Sequence, residues 1–444
     1  MQQPLHIPID VKQKEVTGSL DRKAICVWMA MGFMLNNDTF YENVKWDRPE
    51  IEPWYYKPEK ISFNNAVEAY AKVFEEVVAS QVSSEKVLLA LSGGLDSRTL
   101  AVALYRLGIK PQAYSYKFQN SFDETQYGRK ISEIANWDFN EYIIPEGYLW
   151  DVIETAGEIN QCYSEFTHAR QMAVMEQVAN KGGLFLLGHW GDVLFDSMHV
   201  TETTTEKELA SIILKKMLKK GGFELGNDMW KSWNLEGDFK DYLETRVAEL
   251  LSEIKIDNVN ARVRAFKSMY WAIRWTNVNL RFFSYYKPIA EPYYDNRICN
   301  FVCQTPEEFL KDRKIQIEYI KRYCPAMAKV PWQSTHPYNL FNHEKYLTLA
   351  DMPRRLVSKA QNIFKEKVLN KKIVTRNWEI QFVGEQNDTH LRSWLFENKA
   401  MLEYVPEEVI RKYYDAFRNI DAVHYSHPLS MLLTFSVHLK KVHP

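Results

Sequence analysis

The sequence is poor in cysteine, in net charge and in long apolar runs. Five cysteines occur in 444 residues: Cys26, Cys162, Cys299, Cys303 and Cys324. An odd, scattered set argues against a disulfide framework and fits a reducing compartment. Cys299 and Cys303 stand one helical turn apart with no second pair near them, which reads as buried thiols and not as a metal site. Lys and Arg number 56 against 57 Asp and Glu, a net charge of −1. Nothing global therefore draws the chain to nucleic acid or to a membrane. No apolar run reaches the roughly 18 residues that a spanning helix needs. The opening residues lack the basic stretch followed by an apolar one that marks a secretory signal. The expectation is a cytoplasmic chain without a membrane partner.

What is present is an ordinary globular balance, 46% hydrophobic and 25% charged residues, in a length that holds two or three domains' worth of core. Aromatic residues reach 14%, enough for aromatic-lined pockets, although a large core also uses them. Residues 1–60 read as irregular, with a short helix over Ala24–Leu35 and an extended stretch ending at Pro58. From Ser62, a plausible N-cap, apolar residues recur at helical spacing through Val78. Strands are then predicted at Val87–Leu91, Gln112–Phe118, Glu141–Ile144 and Leu184–Leu187, with helices at Arg98–Leu107, Asp123–Asn136 and His168–Asn180. That alternation implies an α/β fold with a parallel sheet, in which ligands sit beyond the carboxyl ends of the strands. Two glycine-bearing loops, after Leu91 and after Leu187, lie at such ends. Beyond about residue 200 the pattern turns helical, around 205–220, 240–255 and 260–286. Between Pro353 and Arg376, Arg354, Arg355, Lys359, Lys365, Lys367, Lys371, Lys372 and Arg376 face one acid, Glu366. This is either a solvated basic helix face or a seat for an anionic substrate or carrier. The aromatic Trp394–Tyr414 stretch reads as helical core. No internal repeat or low-complexity segment is present.

The string Ser92-Gly93-Gly94-Leu95-Asp96-Ser97 carries the chemistry. Between a strand and a helix, the glycines let backbone N–H groups approach phosphate oxygens. The helix start adds positive dipole, and Ser92 and Ser97 add hydroxyls. Asp96 offers a hard oxygen ligand for Mg2+. No Gly-Lys-Ser/Thr follows, so this is not a Walker loop. The string is similar to the pyrophosphate (PP) loop of the ATP pyrophosphatases, which split ATP between the α and β phosphates. Within that superfamily the chain resembles the synthetase domain of asparagine synthetase. Three further elements carry the resemblance. They are Phe122-Asp123-Glu124 with Tyr127-Gly128, the loop Gly188-His189-Trp190-Gly191-Asp192-Val193-Leu194-Phe195, and Pro292-Tyr293-Tyr294-Asp295.

The resemblance covers about residues 60–335 and implies a parallel sheet of PP-loop type with helical additions. It implies that Leu91, Ser92, Gly93, Gly94, Leu95, Asp96, Ser97 and Gly188 bind ATP, and that Asp96 and Asp192 share Mg2+. The implied reaction has two steps. A small-molecule or peptide carboxylate takes AMP from ATP with release of pyrophosphate, and ammonia or an amine then expels the AMP. The expected organisation is a short segment at 1–60, at most a remnant of a glutaminase domain, a PP-loop domain at 61–335 and a helical region at 336–444.

The chain departs from the family where the acceptor would bind. The family's glutaminase cysteine follows the initiator Met, where this chain has Gln2. The expected nitrogen source is therefore free ammonia, a separate glutaminase subunit or an amine on the substrate. The family's Glu three residues before the loop Asp of 192 is His189, a candidate general base, and the acid after that Asp is Val193. Lys329, after Cys324-Pro325, is the nearest counterpart of a family lysine that stabilises the pentavalent phosphorus, at a different offset. Glu291 is a candidate acid or substrate contact. The favoured expectation is an amide-forming ligase for a less usual carboxylate. Its competitors are an intramolecular cyclase of β-lactam synthetase type, an RNA-adenylating enzyme and an ATP-binding pseudoenzyme. Only the basic 354–376 stretch speaks for RNA, and the near-zero net charge speaks against it.

Overall fold

The computed structural model describes residues 18–442, except 49–51, 83–85, 120, 203, 347, 355 and 358–380. Most of the basic stretch, including Arg355, Lys359 and the cations beyond it, and Trp378 lie outside the described residues.

Five parallel strands form one sheet in the order β3-β2-β1-β4-β5. They are β1 (Val87–Ala90), β2 (Gln112–Phe118), β3 (Phe139–Ile144), β4 (Leu184–Leu186) and β5 (Ile289–Ala290). Val87, Leu88 and Leu89 are buried, as a central parallel strand covered on both faces requires. β1 is flanked by β2, with Leu89 beside Ala113, and by β4, with Leu89 beside Leu186. The strand order reverses between β1 and β4, so the two glycine-bearing loops leave the sheet side by side at its switch point. β5 is two residues long, too short for its own apolar pattern, and escapes sequence reading. It is nevertheless fixed by Leu187 N–H donating to Ala290 O at 2.9 Å.

The helices packed on the sheet follow the sequence with shifted ends. The helix α1 spans Arg22–Met31, closed by Gly32 at φ 80 and not extended to Leu35. The helix α2 spans Phe63–Gln81, with Ser62 Oγ accepting from Asn65 N. The helix α3, Leu95–Arg106, begins three residues earlier than the apolar spacing suggests, because the Gly94 turn runs straight into it. Asp96 and Ser97 thus lie in its first turn. The helix α4 spans Gln126–Ala135, so Asp123 and Glu124 precede it and are not first-turn acids. Asp123 is held outside by Lys117, 3.3 Å away, and by the Thr125 hydroxyl, 2.7 Å away. Beyond the sheet, Val259–Phe266, a π-helix at Lys267–Thr276 and Asn277–Ser284 run on without a break.

α1 is not a loose leader. Every residue from Ala24 to Met31 is buried. Trp28 packs on Phe435, Phe40 stacks on His438 at 3.9 Å, and both partners belong to the helix Ala422–Val442. The two ends of the described chain therefore share one helical core.

The first loop is braced from inside. Arg98, on α3, is wholly buried. Its guanidinium donates to Val330 O at 2.9 Å and Pro331 O at 2.8 Å, and also reaches Met327 O and Gly93 O at 3.4 Å. Burial without a carboxylate partner lowers its pKa to about 10. Loss of such a buried donor strands its acceptors at about 1–3 kcal/mol each. Arg98→Met is therefore expected to lower the unfolding free energy by about 2–4 kcal/mol in a urea titration. A midpoint equal to wild type would show that the clamp contributes nothing.

Candidate functional site

The loop after β1 folds on its own hydroxyls. Ser97 Oγ accepts from Ser92 N at 3.1 Å and lies 3.0 Å from Ser92 Oγ, while Gly94 N donates to Ser92 Oγ at 3.2 Å. Gly93 is required by crowding, since a Cβ there would lie 2.7 Å from Tyr127 and from Gln333. Gln333 also donates its N–H to Gly93 O at 3.2 Å, and its amide reaches Glu124 at 3.2 Å. Tyr127 meets His336 Nδ1 at 3.1 Å. The Phe122–Tyr127 element thus forms the rim of the loop, as its sequence order suggests.

The loop after β4 presses against the start of α3. The Trp190 backbone turns at φ 75 to launch the single turn Gly191–Leu194, with Asp192 in it. A Cβ on Gly191 would lie 2.2 Å from Asp96 Oδ1, and one on Gly188 would lie 3.2 Å from the Asp96 carbonyl carbon. These close approaches bring the Asp96 carboxylate against the residue next to Asp192. Burial lifts the Asp96 pKa, Arg313 pulls it down, and Asp192 pushes it up again. A half-buried carboxylate under the influence of a second, exposed one, with a cradle that admits only glycine between them, fits a divalent cation. Asp96 and Asp192 are the residues that would hold Mg2+, whose chemistry there would be to neutralise a triphosphate.

Arg264, buried on Val259–Phe266, braces this second loop much as Arg98 braces the first. It donates to Asp196 O at 2.8 Å and Val193 O at 3.3 Å, and pairs with Glu307 at 2.5 Å.

The site holds a cation that the sequence did not announce. Arg313 pairs with Asp96 Oδ1, which also accepts from Gln316 Nε2 at 3.2 Å. Asp312 and Arg313 both have positive φ, 58 and 60, and this reversal aims the guanidinium back at the loop. Lys-Asp-Arg-Lys-Ile-Gln reads only as a helix start, so no local motif could have found it. Arg313 also lines a cleft of about 600 Å3 with Asp196, Asp312, Lys314 and Trp332.

The three catalytic candidates are placed differently. His189 lies at the end of β4, its ring 6.0 Å from Phe283 and its Nδ1 buried without a partner. Burial lowers its pKa to about 4, against a smaller opposing pull from Asp192, so the imidazole is neutral at pH 7. Glu291 follows β5 directly, with a buried Oε1 that lacks a hydrogen-bond partner. Burial raises its pKa to about 8. Lys329 stands apart: it is exposed at the end of the short helix Pro325–Ala328, whose neighbours Met327, Val330 and Pro331 turn their carbonyls to Arg98. All five cysteines are buried and free, and burial raises each thiol pKa.

A switch-point PP loop facing a second carboxylate-bearing loop defines a parallel-sheet α/β protein of PP-loop type. The family model for asparagine synthase matches residues 69–407, and the chain belongs to that family of ATP-dependent ligases. A solved NMN synthetase from Francisella tularensis is similar over 47% of this chain and 94% of its own, at 14% identity and a TM-score of 0.25. No curated protein matches the chain. No helix among the described residues is long and apolar enough to cross a membrane.

Two outcomes follow. Gly191→Ala is expected to weaken Mg-ATP binding at least tenfold by calorimetry while far-ultraviolet circular dichroism stays unchanged, because the new methyl displaces Asp96; an unchanged Kd would refute the shared-cation geometry. Glu291 keeps its proton when folded up to about pH 8 but loses it near pH 4 when unfolded. Folding therefore binds a proton between those values, and stability falls as pH rises through that window. Glu291→Gln should thus raise the melting temperature over wild type at pH 8 and leave it unchanged at pH 4. Equal differences at both values would contradict the buried, protonated carboxyl.

Proposed function

We propose that the chain is an AMP-forming carbon–nitrogen ligase that activates a carboxylate with ATP and passes the acyl group to ammonia or an amine. One observation supports the reading: Gly191 packs on Asp96 so closely that the Asp192 carboxylate acts on Asp96 at the mouth of the PP loop, where a triphosphate bound with Mg2+ would lie. The Ser92–Ser97 N–H and hydroxyl groups hold phosphate oxygens, and Arg313 supplies positive charge beside them. In the first step a carboxylate oxygen bonds to the α phosphorus, and the bond to the bridging oxygen breaks as pyrophosphate leaves. In the second step the amine nitrogen bonds to the acyl carbon, AMP departs with the carbon–oxygen pair, and the nitrogen loses a proton.

Of the candidate bases, Glu291 is the better matched. A pKa of about 8 lies near working pH, whereas an imidazole held at about 4 is a weak acceptor for an amine proton. His189 then serves as a neutral hydrogen-bonding group. Buried thiols with raised pKa values do not suit the thiolate chemistry of glutamine hydrolysis. The nitrogen is accordingly taken as ammonia or an amine, made by a separate glutaminase or carried by the substrate. Five unpaired thiols suit the reducing cytoplasm.

The test is exchange of labelled pyrophosphate into ATP with Mg2+ and a panel of carboxylates that includes aspartate, wild type against Asp192→Asn. Exchange that depends on one acid and falls at least a hundredfold in the variant is expected. Exchange independent of any acid, or retained in the variant, would sink the reading.

A further inference from the structure

We propose that Asp196, His199 and Asp312 form a second cation site, separate from Asp96 and Asp192. It takes a divalent transition metal, Zn2+ being the best match to the donors, and clips the loop after β4 to the turn that aims Arg313. The site stands whatever reaction the PP loop carries out.

The donor atoms of the three side chains all lie within 4.8 Å of one another. Asp196 and His199 follow the single turn Gly191–Leu194, and Asp312 comes from the turn Lys311–Arg313, 116 residues after Asp196. The backbone is left-handed at both His199, φ 55, and Asp312, φ 58. Asp196 is half-buried and held in place: its Oδ1 accepts from Ser197 N at 2.7 Å and from Asp312 N at 2.9 Å. Its Oδ2 has no partner among the described residues. His199 Nδ1 lies 3.4 Å from Ser197 Oγ, and its Nε2 lies 3.9 Å from Asp196 Oδ1. A ligating imidazole commonly gives its second nitrogen to such a partner, and a ligating carboxylate is itself hydrogen-bonded. The gap from Nε2 to Asp196 is too long for a hydrogen bond, and it suits two atoms that each stand about 2.1 Å from one ion.

Two carboxylates meet here with no Lys or Arg paired to either among the described residues, although Lys311, Arg313 and Lys314 flank Asp312 in the sequence. Arg313 turns to Asp96, and Lys314 turns to Glu308 O at 3.3 Å. The Asp312 carboxylate has no hydrogen bond or ion pair among the described residues. Two carboxylates with no cation on them, joined by an imidazole, make a donor set for a metal. The imidazole decides which metal, since nitrogen suits Zn2+ and its neighbours in the series whereas Mg2+ and Ca2+ take oxygen. Three protein ligands leave a fourth position on Zn2+. Asp196 and Asp312 both line the cleft of about 600 Å3, from which a small ligand could reach that position. A bound ion would tie Asp312 to Asp196 and so hold the turn that carries Arg313 to Asp96.

The test is calorimetric titration of Zn2+ into the full chain, stripped of metal and without ATP. It is made on Asp192→Asn, which weakens the PP-loop pair as a competing site. One Zn2+ per chain is expected, with a micromolar or tighter Kd, and a hundredfold excess of Mg2+ should not displace it. Adding His199→Ala or Asp312→Asn should each weaken binding at least tenfold, as loss of one ligand implies. Zn2+ should also raise the melting temperature of the Asp192→Asn chain and leave that of its His199→Ala derivative unchanged. No binding, binding that Mg2+ displaces, or binding left unchanged by either substitution would overturn the site.

Discussion

The structure is organised around an unfavourable contact: two carboxylates, Asp96 and Asp192, delivered to one seam by neighbouring parallel strands. Burial lifts the Asp96 pKa and the nearby Asp192 charge lifts it further, while Arg313 pulls it down. The fold leans on this pair from several sides. Gly191 and Gly188 let the second loop approach at distances a Cβ forbids. Arg98 and Arg264, buried and bonded to loop carbonyls, hold the two loops in place through α3 and the Val259–Phe266 helix. Arg313 and Gln316 cap one oxygen of Asp96. The Arg313 guanidinium stands where positive charge is needed, with Asp192 near enough to act on it. A site this strained toward negative charge gains most when cations and phosphate enter together.

What could be read from the sequence was local. The Ser92–Ser97 string works through consecutive residues between a strand and a helix, so its composition shows its geometry. β1 and β4 stand out as short apolar runs before glycine loops and β2 by its alternating aromatics, while β3 begins at Phe139, two residues before its predicted start at Glu141. β5 is two residues, fixed by pairing with β4 and not by its own pattern, yet it delivers Glu291. Arg98 and Arg264 look like surface cations on amphipathic helices, and only tertiary packing shows them buried with carbonyls. Arg313 depends on two successive left-handed backbone turns, which no residue type there announces. Lys329 matched by order along the chain, but its exposed position follows from neighbours that turn inward to Arg98. α1 is legible as a helix over Ala24–Leu35, but its ends and its burial on nearly all sides are set by packing that the sequence does not show.

The same distinction separates the nucleotide half of the site from the acceptor half. The PP loop and Asp192 are set by backbone geometry and tolerate little change. On the acceptor side the departures gather: His189 and Val193 replace acids of the related enzymes, and the π-helix brings Lys267 toward Asp192. Lys267 and Arg313 put positive charge near Asp192. An acid substrate is drawn to such a surface, and an ammonium-bearing one is not. The energetic cost of the carboxylate seam is common to the chemistry, while the charge of the surrounding wall selects the molecule. On the proposed ligase reading, specificity resides in residues that the phosphate loop does not constrain, so the motif names the reaction class and the surrounding wall selects the acid.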